Sequence, residues 1–214
     1  MRKSSMACLP IFKFADLKTS PRDFAPLGIA SLDTAMDGMP RGAITELSGN
    51  RSSGKTTLAL SALAASTRRG EYCAYIDTTN SLDVVSASKA GIELSRLIWL
   101  RCDHDLPNAC KAADVLLHAG GFGMVCLDIA DARARELNQI PASYWFRYRK
   151  AVENSSTSFV VLSGQPMTGA ASARAMECKQ SEAAWRGHLL KSIRLQAIQR
   201  KPPRSPITFF AKTG

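Results

Sequence analysis

Residues 49–56 read Gly-Asn-Arg-Ser-Ser-Gly-Lys-Thr, which fits the spacing G-x-x-x-x-G-K-[ST]. Such a run grips phosphate when a strand feeds it and a helix follows. Main-chain N–H groups of the turn and the positive end of the helix dipole then converge on one anion. Both flanks are present: Ala43-Ile-Thr-Glu-Leu-Ser48 has the make-up of a buried strand, and a helical pattern starts at about Gly54–Lys55. Gly49 and Gly54 can take backbone angles that a Cβ forbids. Asn50, Arg51, Ser52 and Ser53 form the turn between them, Lys55 can reach the β- and γ-phosphates, and the Thr56 hydroxyl can ligate Mg²⁺, with Thr57 next in the helix. This is chemistry for a nucleoside triphosphate.

Other polar residues at strand ends complete the set. Met124-Val-Cys-Leu-Asp128 is an apolar strand ending in a carboxylate, and Asp128 there would orient water on Mg²⁺. Tyr75-Ile-Asp77 ends another strand in a carboxylate expected to face the same crevice. Val160-Val-Leu-Ser-Gly-Gln165 ends a third in an amide suited to sensing the γ-phosphate.

These positions require an alternation of strands and helices. Strands are expected at Ala43–Ser48, Tyr72–Ile76, Leu97–Leu100, Met124–Asp128 and Phe159–Ser163, with Ser192–Ile198 and Ile207–Ala211 as terminal strands. Helices are expected at Lys55–Arg68, Leu82–Ala90, Leu106–His118 and Ala142–Asn154. The fold class is therefore α/β, a mostly parallel twisted sheet with helices on both faces and ligands at the carboxyl ends of the strands. Residues 1–26 read as an N-terminal arm and 27–214 as the nucleotide-binding core.

Composition narrows the class further. With 45% apolar residues the 214-residue chain can bury a core, and no stretch approaches 18 consecutive apolar residues. Six cysteines without a Cys-x-x-Cys pair and three scattered histidines argue against zinc and for reduced thiols in a cytoplasmic protein. No Gly-x-Ser-x-Gly elbow or His-Glu-x-x-His pair is present, and Asp105 reads as a helix cap. The formal net charge of +10 favours a polyanionic partner, nucleic acid before membrane. Tyr144-Trp-Phe-Arg-Tyr-Arg-Lys150 interleaves aromatic and basic residues, but positions 145, 148 and 152 share a helical face and are expected in the core.

Several stretches together resemble the RecA recombinase family: the Gly28–Asp33 lead-in, Pro40-Arg-Gly-Ala-Ile-Thr-Glu46, Ser52-Ser-Gly-Lys-Thr-Thr-Leu58, Tyr75-Ile-Asp77 with Ser81-Leu-Asp83, the Met124–Asp128 strand and Gln165. KaiC- and RadA-type ATPases share the lead-in and the loop. The chain is similar in particular to the short RecA-like ImuA proteins, which serve a damage-induced translesion polymerase apparatus. The resemblance implies a RecA-like phosphate-loop core, ATP with Mg²⁺, a role in DNA repair and SOS mutagenesis, and a cytoplasmic site of action. The partners it implies are DNA, single-stranded by preference, RecA and a Y-family-polymerase-like protein, with homo-oligomers in reach.

In the active recombinases a glutamate two residues after the Asp77 equivalent polarises the attacking water, and here that position is Thr79. A hydroxyl cannot act as that base, so hydrolysis is expected to be slow at best, with Asp77, Thr79 and Gln165 the candidates around the reacting phosphate. The family's adenine-stacking aromatic aligns with Ser86, which leaves Asp83 as an adenine contact, and the sequence stops short of the family's large carboxyl-terminal domain. Two family loops that hold single-stranded DNA correspond to residues 129–139 and 166–182, with Arg133, Arg135, Arg174 and Lys179, the second expected as a mobile segment. Gln199-Arg-Lys-Pro-Pro-Arg204, a basic turn between strands, adds Arg200 and Lys201 as DNA or partner contacts. Two rival functions follow: an active DNA-dependent ATPase that forms filaments on single strands, and a protein-interaction module with a vestigial nucleotide site.

Overall fold

The structure, a computed structural model, describes residues 23–186 and 189–212. Most of the expected arm lies outside the described residues. Strand β1 (Phe24–Ala25) pairs with β2 (Met39–Pro40) around helix α1 (Ala30–Met36). The chain then alternates: β3 (Ala43–Ser48), α2 (Lys55–Arg68), β4 (Cys73–Asp77), α3 (Val84–Lys89), β5 (Leu97–Arg101), α4 (Leu106–Ala119) and β6 (Met124–Asp128). Helices α5 (Ala134–Leu137) and α6 (Ala142–Val152) lead to β7 (Ser158–Ser163), and β8 (Arg174–Arg186), β9 (Leu189–Lys201) and β10 (Ile207–Lys212) close the chain.

The main sheet runs β10-β9-β8-β3-β7-β6-β4-β5. Its pairs from β8 through β5 are parallel, and β8/β9 and β9/β10 are antiparallel. Every residue of β4, β6 and β7 is buried, as continuous apolar runs covered on both faces require. One face carries α1, α2 and α3 through Leu32, Leu58, Leu63 and Ala87. The other carries α4 and α6 through Ala109, Ala113, Trp145 and Tyr148. Trp145, Tyr148 and Val152 are in the core, as their helical spacing demands. The described cysteines are unpaired, and four of the five are buried. Among the described residues no helix is long and apolar enough to cross a membrane.

Two sequence expectations are corrected. The supposed mobile segment at 166–182 is largely strand: β8 starts at Arg174 and pairs with β3 on one side and β9 on the other. Its alternation of Met176 and Cys178, both buried, with charged Glu177 and Lys179 puts one face on the core. The basic turn at 199–204 is shorter than expected, because β9 continues through Lys201.

Candidate nucleotide site

Strand β3 delivers Ser48 to the carboxyl edge of the sheet, where the chain turns through residues 49–54 into α2. The turn needs both of its glycines. Gly49 has φ of 147° and Gly54, the cap of α2, has φ of 90°, where a side chain is strained. Space enforces the same choice. A Cβ on residue 49 would fall within 3.0 Å of the Cys178 carbonyl oxygen, and one on residue 54 within 3.0 Å of Leu195 Cδ1.

Lys55 is 6% exposed, and its ammonium donates to the carbonyls of Gly49 at 2.7 Å and Asn50 at 2.8 Å. Burial holds its pKa below the usual lysine value. Thr56 and Thr57 are exposed in the first helical turn. A cavity of about 220 Å³ is lined by Ser52 to Thr57 together with Leu195. Loop amides, a helix N-terminus and a pinned ammonium there make an anion cradle. Arg51 leans outward, its Nε 2.8 Å from Asp131 Oδ1.

The two strand-end carboxylates divide their work. Asp128 is 6% exposed, accepting from the Tyr75 hydroxyl at 2.5 Å and from Ala130 N–H at 3.0 Å. Burial raises its pKa above the usual carboxylate value, and burial also raises that of Tyr75. Asp77, its register partner, is fully buried. Its Oδ1 accepts from the N–H groups of Thr79 (3.2 Å) and Ser81 (3.1 Å), and its Oδ2 from Leu82 N–H (2.9 Å) and Trp99 Nε1 (3.2 Å). Asp77 is therefore a staple for the loop after β4, and the expectation that its carboxylate faces the crevice is corrected. Thr78 Oγ1 donates to the Asp128 carbonyl at 2.7 Å, which ties that loop to β6.

Thr79 lines a cavity of about 390 Å³ with Thr78, His104, Asp131 and Arg133. Gln165 lines a cleft of about 540 Å³ with Gly49, Asn50, Ser53, Lys179 and Gln180. Gln165 is thus beside the phosphate loop. Asp83 instead caps α3, accepting from Val85 and Ser86 N–H and from the Ser86 hydroxyl. Asp105 caps α4 by accepting from Asn108 N–H at 2.9 Å.

The six basic residues expected at a polyanion separate. Arg133 and Arg135 are exposed on and beside α5, with Arg133 Nη1 4.0 Å from Glu136. Lys179 and Arg200 both pair with Glu177, and Lys201 Nζ donates to the Ala170 carbonyl at 3.1 Å. Arg174 is 5% exposed and donates to the Gly38 carbonyl, so its expected place in an exposed loop is corrected. Tyr75, Cys178 and Leu195 were missed by sequence reasoning. Tyr75 had a signal, since it lies two residues before Asp77 on the same strand face. Leu195 had none, because only tertiary register brings it to the loop.

Among the described residues, no cluster of three His, Cys, Asp or Glu could hold a metal. One hydroxyl (Thr56) and one carboxylate (Asp128) suit Mg²⁺ carried in on phosphate, which keeps most of its ligands as water and phosphate oxygen.

A profile of the RecA N-terminal domain matches residues 8–138. Protein RecA of Acidothermus cellulolyticus is 38% identical over 120 residues, 55% of this chain and 34% of that protein. Protein RecA of Methylococcus capsulatus is 40% identical over 108 residues, 50% of this chain and 31% of that protein. The matched region thus spans about a third of these relatives. A crystal structure of the RadB recombinase superposes with a TM-score of 0.67 at 18% identity, covering 89% of this chain and 96% of that one. At that identity the likeness is one of fold.

Proposed function

The chain belongs to the RecA N-terminal domain family, and from that premise we propose that it binds ATP with Mg²⁺ at residues 49–57 and hydrolyses it slowly or not at all. The observation that carries the reading is the cradle itself. Two glycines in left-handed or steeply positive φ bound the turn, α2 begins inside it, and Lys55 sits at its mouth on two loop carbonyls. An arriving phosphate offers that ammonium a charged acceptor in place of neutral ones, a stronger bond. Mg²⁺ would be met by Thr56 and, through water, by Asp128, where it neutralises phosphate charge. Gln165, which lines a cleft with the phosphate loop, would register the terminal phosphate and pass its presence to the segment that follows. Thr79 carries no base, and the neighbouring Asp77 is occupied by four N–H donors.

The cellular role that fits is an ImuA-like accessory in DNA repair and SOS translesion mutagenesis, acting in the cytoplasm. ATP sets a conformation that holds DNA or a polymerase partner, with RecA or a second copy as further partners. The net charge of +10 and the exposed Arg133 and Arg135 support contact with DNA. The test is ATP binding to wild type and to Lys55→Ala, with circular dichroism to show that the fold persists. Binding lost in the variant alone supports the reading, and wild-type affinity in Lys55→Ala rejects it. Robust turnover stimulated by single-stranded DNA would favour the recombinase instead.

A further inference from the structure

The phosphate loop is built against a second element. Strand β8 meets it at Gly49, where the Cys178 carbonyl takes the space of a Cβ, and β9 meets it at Gly54 through Leu195. Ser48 Oγ also donates to the Met176 carbonyl at 3.4 Å. Each glycine of the motif is thus in contact with a different strand of one hairpin. Leu195 is 2% exposed and is the lining residue of the anion cradle that comes from outside the loop and its helix.

The hairpin in turn meets the loop along a free strand edge. β3 pairs with β8 only from Arg174 to Glu177. From Cys178 onward β8 pairs with β9, and among the described residues no strand pairs with its other edge. On the far side β10 pairs with β9 from Ser192 to Ala197, so this stretch is a three-stranded ladder whose free edge is β8. The contact between Gly49 and Cys178 lies where that free edge starts, and Lys179 and Gln180 line the cleft that adjoins the loop.

We propose that the β8–β9 hairpin is the positioning element of the nucleotide site, with Leu195 as a positioning residue, so that loading the loop and ordering the hairpin are coupled. The inference rests on the ATP reading above. A bound triphosphate fixes residues 49–56, and the hairpin strands that touch both glycines lose freedom with them. Linkage runs equally in reverse: whatever steadies the hairpin tightens nucleotide binding. Truncating Leu195 removes the wall behind Gly54, letting the start of α2 depart from the shape that aims its N–H groups at phosphate.

The experiment is amide hydrogen exchange on the full chain, with Mg·ATP and inorganic triphosphate as probes. In wild type both probes are expected to slow exchange at residues 49–56 and at 178–186, and to leave β5 unchanged. Leu195→Ala is expected to weaken ATP by about tenfold, a coupling of ordinary size. At saturating ATP it should no longer slow exchange in the hairpin, and Leu195→Met should restore both. A protected loop beside an unchanged hairpin in wild type overturns this proposal and leaves the ATP reading standing. Wild-type ATP affinity in Leu195→Ala also overturns it. No protection anywhere overturns the proposal and the ATP reading together.

Discussion

Asp77 and Asp128 end neighbouring strands in register, yet their surroundings set them to different tasks. Four donors converge on Asp77, while Asp128 holds one hydroxyl and one amide. Asp128→Asn removes a buried charge whose pKa burial has raised, and a group with that shift destabilises the fold once pH exceeds its folded pKa. The variant is therefore expected to unfold at the same or higher urea concentration than wild type at pH 7, while its Mg²⁺-dependent gain in ATP affinity shrinks. Urea titration and ATP binding with and without Mg²⁺ check the two halves separately. Thr79→Glu supplies a base where the family places one, and turnover should rise by about tenfold or more, since a positioned base contributes roughly 10²–10⁴. Single-turnover ATP hydrolysis reads this, and an unchanged rate would mean that something other than the base limits the reaction. The loop residues 49–56 were legible because their spacing is itself the structure. The division between the two aspartates was not, because it depends on which N–H groups the next loop folds back.

At the scale of elements, periodicity served well where composition was strong. Helix Lys55–Arg68 and strands Ala43–Ser48 and Met124–Asp128 have the predicted limits, and the other predicted helices and strands of the alternating core differ by a few residues at their ends. The failure was β8, whose mostly small and polar residues include no β-branched type and a single aromatic, Trp185, near its end. Its two-residue alternation at 175–179 was present in the sequence but was outweighed by resemblance to a mobile family loop. Removing the α4 cap with Asp105→Ala should lower stability by about 1 kcal/mol. Trp145→Ala, which removes the ring packed edge-on against Tyr148 on the core face of α6, should lower it by roughly 3–5 kcal/mol. Chemical denaturation of both variants would rank them, and a larger loss at Asp105 would mean that α6 is not the anchor its burial indicates.

For the whole molecule, the fold class followed from the alternation of strands and helices, while the distribution of charge did not follow from the total. The net +10 is partly absorbed inside the molecule: Lys179 and Arg200 share Glu177, and Arg174 is buried. If exposed cations such as Arg133 and Arg135 contact DNA, affinity for a single-stranded oligonucleotide should fall by an order of magnitude or more between about 50 and 200 mM salt. A flat response measured by fluorescence anisotropy would favour a protein-binding module. The family profile ends at residue 138, yet β3 is flanked by β7 and β8, with Ala43 opposite Ser158 and Thr45 opposite Arg174. A nascent chain emerging from the ribosome therefore cannot shelter its phosphate-loop strand until the last third has been synthesised. Chains stalled before Arg174 should hold no ATP, so a motif translated early becomes competent among the last.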